Sequence, residues 1–144
     1  MDQFVSLQNR LAQMQNKLDQ MNKNIANLNI NNINNQEIRY NDGNRLRYVG
    51  QVVNGLPGGK GIMYYNDGDR YEGEWRNDKK EGKGIYYYHN GDRYEGDFRN
   101  GNFEGKGIYY FSNGDRRMGD YLNDKKIGKH VRLTKNGEVK IENF

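Results

Sequence analysis

Two histidines are the side chains in this sequence best suited to acid–base chemistry near neutral pH. His89 occupies a turn position that Asn66 and Ser112 occupy in the neighbouring repeats, and His130 stands where those repeats have glycine. No serine–histidine–acid set, paired-carboxylate arrangement or metal-ligand spacing accompanies either histidine. The sequence therefore predicts no catalytic residue and no metal site, and it does not predict an enzyme.

Cysteine is absent, whereas glycine is abundant, with 19 residues. The lack of cysteine excludes disulfides and thiolate metal sites and favours a reducing, intracellular compartment. The first residues also lack the basic and apolar regions of a secretory signal. A glycine loop that cradles phosphate opens a helix, and no helical pattern follows these glycines. We therefore predict no bound cofactor.

Basic side chains are the remaining candidates for binding chemistry. The formal net charge is only +4, and bases and acids are interspersed, so the basic stripe of a nucleic-acid-binding protein is missing. Bases are in excess near the C-terminus, where they could face anionic lipid headgroups. This lipid-binding alternative comprises Lys125, Lys126, Lys129, Arg132 and Lys135.

A 23-residue period organises the second half of the chain. The segment YEGEWRNDKKEGKGIYYYHNGDR begins at Tyr71, similar copies begin at Tyr48 and Tyr94, and a degenerate copy begins at Arg117. Each copy alternates apolar and polar residues, as a strand with one buried face does. Each also contains a turn dipeptide, for which we predict a type I′ hairpin turn. These dipeptides are Asp67-Gly68, Asn90-Gly91, Asn113-Gly114 and Asn136-Gly137.

Glycines inside the predicted strands need a packing partner, because a bare glycine weakens a strand. Gly50, Gly73, Gly96 and Gly119 each lie between two residues of the same face. We expect an aromatic ring from a neighbouring strand to lie across each of them.

These residues resemble the MORN repeat family (membrane occupation and recognition nexus). The resemblance rests on YxGxW, then Asn-Gly or Asn-Asp, then GxG, an aromatic strand and NGD, and residues 71–116 match it almost throughout. The first copy has Val52 at the aromatic position; the last has Arg117 for the leading tyrosine and His130 for the second glycine. The resemblance implies a mainly β fold, an elongated single antiparallel sheet of stacked hairpins.

The predicted organisation has three parts. Residues 1–30 form one long coiled-coil helix, and residues 31–47 are an Asn-rich linker with a leading half repeat. The array covers residues 48–144, with repeats at 48–70, 71–93 and 94–116, a degenerate repeat at 117–139 and a terminal strand at 140–144.

The second strand of each repeat is apolar on both faces, so a single sheet leaves one of them uncovered. Extended aromatic patches of this kind mark interfaces. The alternative is that partly exposed tyrosines simply cover the sheet. The resemblance implies that the face bearing Tyr86 and Tyr88 is structural. The docking set is then Ile85, Tyr87, Ile108 and Tyr110.

The N-terminal segment has an apolar seam whose spacing alternates between three and four residues, which predicts a helix that packs on a partner helix. The alternative is that the helix packs on its own sheet. The flanking positions hold no acid to pair with the bases, so a homodimer and a heteromeric partner both remain open. The seam residues are Phe4, Leu7, Leu11, Met14, Leu18, Met21, Ile25 and Leu28.

Together these features predict a non-catalytic adaptor that binds other proteins, at least one of them helical. By analogy with the family, we expect a cytoplasmic or cytoskeletal location, such as a ciliary axonemal assembly with the radial spoke as an example. A membrane-associated module that binds anionic lipid is the alternative. No nucleic acid partner is expected.

Overall fold

The computed structural model describes residues 8–10, 12–23 and 35–144, and contacts divide the chain into two units, Met1–Asn34 and Asn35–Phe144. In the first unit, residues 8–10 and 12–23 are helical, which confirms a helix in the N-terminal segment. None of the helical residues that the structure describes belongs to a stretch long and apolar enough to span a membrane.

The second unit is one ten-stranded antiparallel sheet in which the strands follow one another in chain order. This confirms the predicted single antiparallel sheet preceded by a helix. The strands are β1 Gln36–Arg39, β2 Arg45–Val53, β3 Leu56–Tyr65, β4 Arg70–Arg76, β5 Lys79–Tyr87, β6 Arg93–Arg99, β7 Asn102–Tyr110, β8 Arg116–Leu122, β9 Lys125–Leu133 and β10 Val139–Asn143.

Two kinds of turn alternate along the sheet. The type I′ prediction for Asp67-Gly68 and the equivalent turns is wrong, and type I′ turns occur at the other set of connections. In the turn after β3 only Gly68 has a positive φ, and its N–H donates to the carbonyl of Tyr65, as in a type I turn closed by a glycine bulge. The turn after β4 has positive φ at both Asn77 and Asp78, which is the type I′ pattern. The equivalent turns of the other repeats follow the same division.

A row of glycines crosses the sheet at matched register positions, one on each strand from β2 to β8. The row is Gly50, Gly61, Gly73, Gly84, Gly96, Gly107 and Gly119.

Each of the first three repeats covers its pair of glycines with its leading tyrosine. A Cβ at Gly73 or at Gly84 would lie within 3.0 Å of the Tyr71 side chain. The ring therefore comes from the strand that carries Gly73 and reaches across to the next strand. The predicted ring from a neighbouring strand is wrong for Gly73 and its equivalents in the first and third repeats, and it is correct for Gly119, which a ring on β9 covers. The Tyr71 hydroxyl donates to the carbonyl of Glu74 at 3.0 Å, which holds the ring flat along the sheet.

The resulting core is a chain of aromatic rings on one side of the sheet, called here the aromatic face. Neighbouring rings meet edge to face with centroids 4.8–5.5 Å apart, an arrangement that aromatic quadrupoles favour. In order, the chain is Tyr48, Trp75, Tyr71, Phe98, Tyr94, Tyr121, His130 and Phe144. Most of these side chains are buried, so this face largely covers itself.

Consecutive repeats are joined on this face by the aspartate that follows each glycine turn. Asp92 accepts hydrogen bonds from the hydroxyl of Tyr109 at 2.8 Å and from the N–H of Ser112 at 2.7 Å. Asp69 binds Tyr86 and His89 in the same way. Burial opposes ionisation of Asp92, but these hydrogen bonds outweigh it and lower the pKa of its carboxyl.

Candidate functional site

The opposite side of the sheet, called here the groove face, carries the side chains that alternate with the glycines and tyrosines. A groove of about 1120 Å³ crosses the strands on this face, and the backbone of the glycine row forms its floor. The glycines and the tyrosines that cover them face the other side of the sheet, so this floor is bare backbone.

One wall of the groove is aliphatic at both ends, with Val49 on β2 and Met118 on β8. Between them, isoleucines on β3, β5 and β7 alternate with acids on β4 and β6. Ile85, for example, lies opposite Glu72 on one side and Glu95 on the other. Both acids are ion-paired, Glu72 with Arg70 at 2.9 Å and Glu95 with Arg93 at 3.9 Å. The isoleucines of this wall are Ile62, Ile85 and Ile108.

The other wall alternates lysines with acids. Lys83 is ion-paired with Asp97, and Lys106 lies 3.7 Å from Asp120. Such exposed pairs contribute little to stability. Their effect is to give the wall a regular pattern of charge without a strong net charge.

The predicted docking set lies on the groove face. Ile85 and Ile108 are half-buried and line the groove. Tyr87 and Tyr110 lie beside it, beneath guanidinium groups that stand 4.1 Å and 3.9 Å from their ring centroids. These cation–π contacts hold the tyrosines flat. Neither tyrosine belongs to the groove lining, so the four residues lie on one face but only the isoleucines reach the groove.

The predicted lipid-binding set does not form one surface. The ammonium of Lys126 lies over the Phe144 ring at 3.8 Å, and Arg132 is bound to Asp115 at 2.8 Å, both on the aromatic face. Lys129 is exposed and lines the groove on the other face. Lys125 is also exposed, and Lys135 lies beyond the end of β9.

The helix seam is described in part. Met14, Leu18 and Met21 are exposed, at 70%, 49% and 59% of their full accessible surface. Three apolar side chains at helical spacing are thus open to solvent. Phe4, Leu7, Leu11, Ile25 and Leu28 lie outside the described residues.

The role of His130 was missed by the sequence reading. Its ring is fully buried over Gly119, where earlier repeats place a tyrosine, and its Nε2 lies 2.9 Å from the carbonyl oxygen of Asp120. Because a carbonyl only accepts, Nε2 carries the proton and donates, as the tyrosine hydroxyls do. The signal was present in the sequence, since the repeat that loses its tyrosine at Arg117 gains a ring at His130.

Comparison with known protein families decides the identity of the array. The MORN repeat model matches residues 48–70, 71–93 and 94–116. Residues 48–116 are three consecutive MORN repeats. This confirms the predicted resemblance. MORN repeats are protein- or membrane-binding modules, generally without catalytic activity. No curated protein matches the chain significantly.

Within the described part of the chain, no three histidine or acidic side chains converge in a way that could hold a metal ion. The groove is lined by backbone, aliphatic side chains and charged side chains.

Proposed function

We propose that this MORN-repeat chain is a non-catalytic adaptor that binds a protein partner in the groove of its sheet. The observation that carries the proposal is the groove itself, about 1120 Å³ with a backbone floor between an aliphatic wall and a charged wall. A partner segment can approach the bare floor closely, since no side chain projects from it. The partly exposed isoleucines then lose further apolar surface, which favours binding.

The spacing of the isoleucines indicates the chemistry of the partner. Ile62, Ile85 and Ile108 lie on alternate strands, so they repeat about every 9.6 Å along the groove. An α-helix repeats its heptad positions about every 10.5 Å. An amphipathic helix with one apolar residue per heptad therefore fits the aliphatic wall, and its polar flanks fit the alternating charges of the other wall.

Crosslinking in an extract of the cells that produce the protein tests this proposal. Lys83 and Lys106 stand on the charged wall, so both should crosslink to one partner segment. Ile85→Glu places a charge against the apolar residues of the partner and should abolish those crosslinks. Leu46→Glu is the matched control, because Leu46 is exposed outside the groove lining, and it should leave them unchanged. Crosslinks that survive Ile85→Glu would refute the groove as the docking site.

The helix supplies a second proposed contact. The exposed residues Met14, Leu18 and Met21 favour association with another helix, either in a second copy of the chain or in a different protein. Sedimentation of the purified chain distinguishes the two. A homodimer should dissociate in Leu18→Glu but not in Asn16→Glu, which changes a position outside the seam. A monomeric wild-type chain would exclude the homodimer.

The proposed setting is intracellular, in a cytoskeletal or ciliary axonemal assembly such as a radial spoke. Support for this setting comes from the family resemblance alone. Imaging of the tagged chain at its natural level tests it, and a distribution unrelated to cytoskeletal structures would contradict it.

Binding to anionic lipid is the alternative proposal, and the division of its cations between two faces disfavours it. Co-sedimentation with anionic vesicles is the test. Salt-sensitive binding that is lost in Lys125→Glu/Lys129→Glu would favour this alternative over the protein adaptor.

A further inference from the structure

The outer edge of β10 carries backbone groups that no described strand binds. Phe144 and Gly128 exchange both of their backbone hydrogen bonds, and such bonded residues alternate along an antiparallel pair. The N–H and C=O groups of Val139, Ile141 and Asn143 therefore point away from the sheet. Val139 and Ile141 also have exposed side chains, at 62% and 56% of their full accessible surface.

β1 forms the opposite edge of the sheet, and its chemistry differs. Its outward residues are Glu37 and Arg39, because Tyr40, the residue after the strand, donates to Leu46 of β2. Glu37 and Arg39 form an ion pair at 2.6 Å. Charged side chains at an edge discourage pairing with a further strand. The outward positions of β10 hold valine, isoleucine and asparagine, so this edge lacks that protection.

The exposed isoleucine of β10 continues an apolar row on the groove face. Ile141 lies opposite Val131, and Val131 lies opposite Met118 at the end of the aliphatic wall. A strand that pairs with β10 and places an aliphatic residue opposite Ile141 would extend this row. It would also remove apolar surface from water, which favours the pairing.

The sequence of β10 is complementary to itself when two copies run antiparallel. Outward residues must face outward residues for the hydrogen bonds to form, so each allowed register is centred on one residue. In the register centred on Ile141, Lys140 of each copy faces Glu142 of the other. The registers centred on Lys140 or on Glu142 place like charges opposite each other. Because opposite charges stabilise a cross-strand pair and like charges destabilise it, the register centred on Ile141 is favoured.

The two charged side chains are placed for this pairing. Arg117 holds the Glu142 carboxylate at 2.5 Å and so lowers the pKa of Glu142, which keeps this side chain ionised and fixed beside the edge. Lys140 lies 3.4 Å from Glu138, and both side chains are exposed. Such a contact contributes little to stability, so the Lys140 ammonium can turn to the carboxylate of another copy.

We propose that β10 pairs with β10 of a second copy of this chain, antiparallel and centred on Ile141. The two-fold axis then passes through the sheet between the two Ile141 residues, and ten strands of each copy form one continuous sheet. The groove faces of both copies lie on the same side, and their aliphatic walls meet at Ile141. Each copy contributes a strand of five residues, so the interface is small and its dissociation constant is on the order of 100 µM. This dimer is independent of what binds in the groove and of any helix contact.

Sedimentation equilibrium of the full chain tests the pairing, with Leu18→Glu in every sample to remove association through the helix. Ile141→Lys places two ammonium groups opposite each other at the two-fold axis and should weaken the dimer at least about fivefold. Val139→Lys is the matched control on the same strand and face. It faces Asn143 of the other copy, so it should weaken the dimer less than about twofold. A thermal melt of each variant verifies folding. Equal weakening by the two lysines, or a chain that stays monomeric up to about 1 mM, would overturn the proposal.

Disulfide trapping tests the symmetry, since the natural chain has no cysteine. The Cα atoms of a hydrogen-bonded pair lie about 5.5 Å apart, within the range of a disulfide, so Ile141→Cys should form a crosslinked dimer on mild oxidation. Val139→Cys lies four residues, or about 13 Å, from its own copy and should crosslink at least about fivefold more slowly. Equal rates would overturn the register.

A proline at the other edge distinguishes this dimer from an open chain of copies in which β10 pairs with β1. Arg39→Pro removes an outward N–H of β1 without removing a bond to β2. It should leave both the sedimentation and the crosslinking of Ile141→Cys unchanged. Loss of association in Arg39→Pro would assign β10 to β1 of the next copy and overturn the two-fold dimer.

Discussion

In the fourth repeat the ring that covers the glycine is His130 on β9, whereas the first three repeats use a tyrosine on the preceding strand. This difference gives a sharp test of how the rings stabilise the fold. Removal of the buried ring by His130→Gly leaves Gly119 uncovered and the carbonyl of Asp120 without its donor. Loss of a buried ring costs about 3–5 kcal/mol and loss of a hydrogen bond about 1 kcal/mol. We therefore expect His130→Gly to destabilise the protein by about 4 kcal/mol.

Arg117→Tyr alone should also destabilise the protein, by about 2–3 kcal/mol. The new ring would compete with His130 for the space over Gly119, and overpacking of this kind costs about 1–3 kcal/mol. The ion pair of Arg117 with Glu142, now at 2.5 Å, would be lost as well.

The double variant Arg117→Tyr/His130→Gly restores the arrangement of the first three repeats, with one tyrosine over two glycines. It should therefore be more stable than the sum of the single changes predicts, by at least about 2 kcal/mol, since residues that share one space are coupled. Urea unfolding followed by circular dichroism gives the three free energies, and amide hydrogen exchange of β8 and β9 locates the effect. Additivity within about 0.5 kcal/mol would refute the idea that the two positions exchange one ring.

Three further predictions follow from contacts in the repeats. Gly84→Ala should lower the free energy of unfolding by about 2–3 kcal/mol in urea, because the new Cβ meets a fixed ring. Gly128→Ala meets no atom within 4 Å and only strains the backbone, so it should lower this free energy by about 1 kcal/mol. Equal losses would argue against ring packing over Gly84. Burial raises the pKa of Tyr48 to about 12, so the folded state holds the hydroxyl proton more tightly than the unfolded state does. The contribution of this group to the free energy of unfolding should be fully present below pH about 10 and should be lost between pH about 10 and 12. Tyr48→Phe should make the free energy of unfolding fall less over this pH range. Asp92→Asn should lower the free energy of unfolding by about 1–3 kcal/mol, because Asp92 accepts hydrogen bonds from the next repeat. Asp67→Asn, at a turn position that is asparagine in the three other repeats, should have little effect, and equal effects in urea unfolding would contradict this role of Asp92.

Much of the fold could be read from local chemistry. The 23-residue spacing, the alternation within each strand and the paired turn signals specify hairpins whose register repeats, and the single sheet follows. The type I′ prediction for Asp67-Gly68 and its equivalents was wrong because Asn-Gly and Asp-Gly dipeptides also fit a type I turn closed by a glycine bulge. The length of the loop between paired residues selects the type, and the strand register sets that length.

The candidate site was predictable only in part. Strand alternation placed Ile85, Tyr87, Ile108 and Tyr110 on one face, because side chains on a strand alternate with period two. Which of them borders the groove depends on the glycine row, and that row forms only when the strands pair. The basic residues near the C-terminus looked like one patch in the sequence, but alternation within β9 sends Lys126 and Lys129 to opposite faces.

The sequence by itself determined the repeat, the strand pattern and the positions that must be glycine, because these depend on neighbours within a few residues. Tertiary structure alone decided which ring covers each glycine, and that His130 replaces a tyrosine from the adjacent strand. These features depend on the distances between side chains on different strands, and only the pairing of the strands sets those distances.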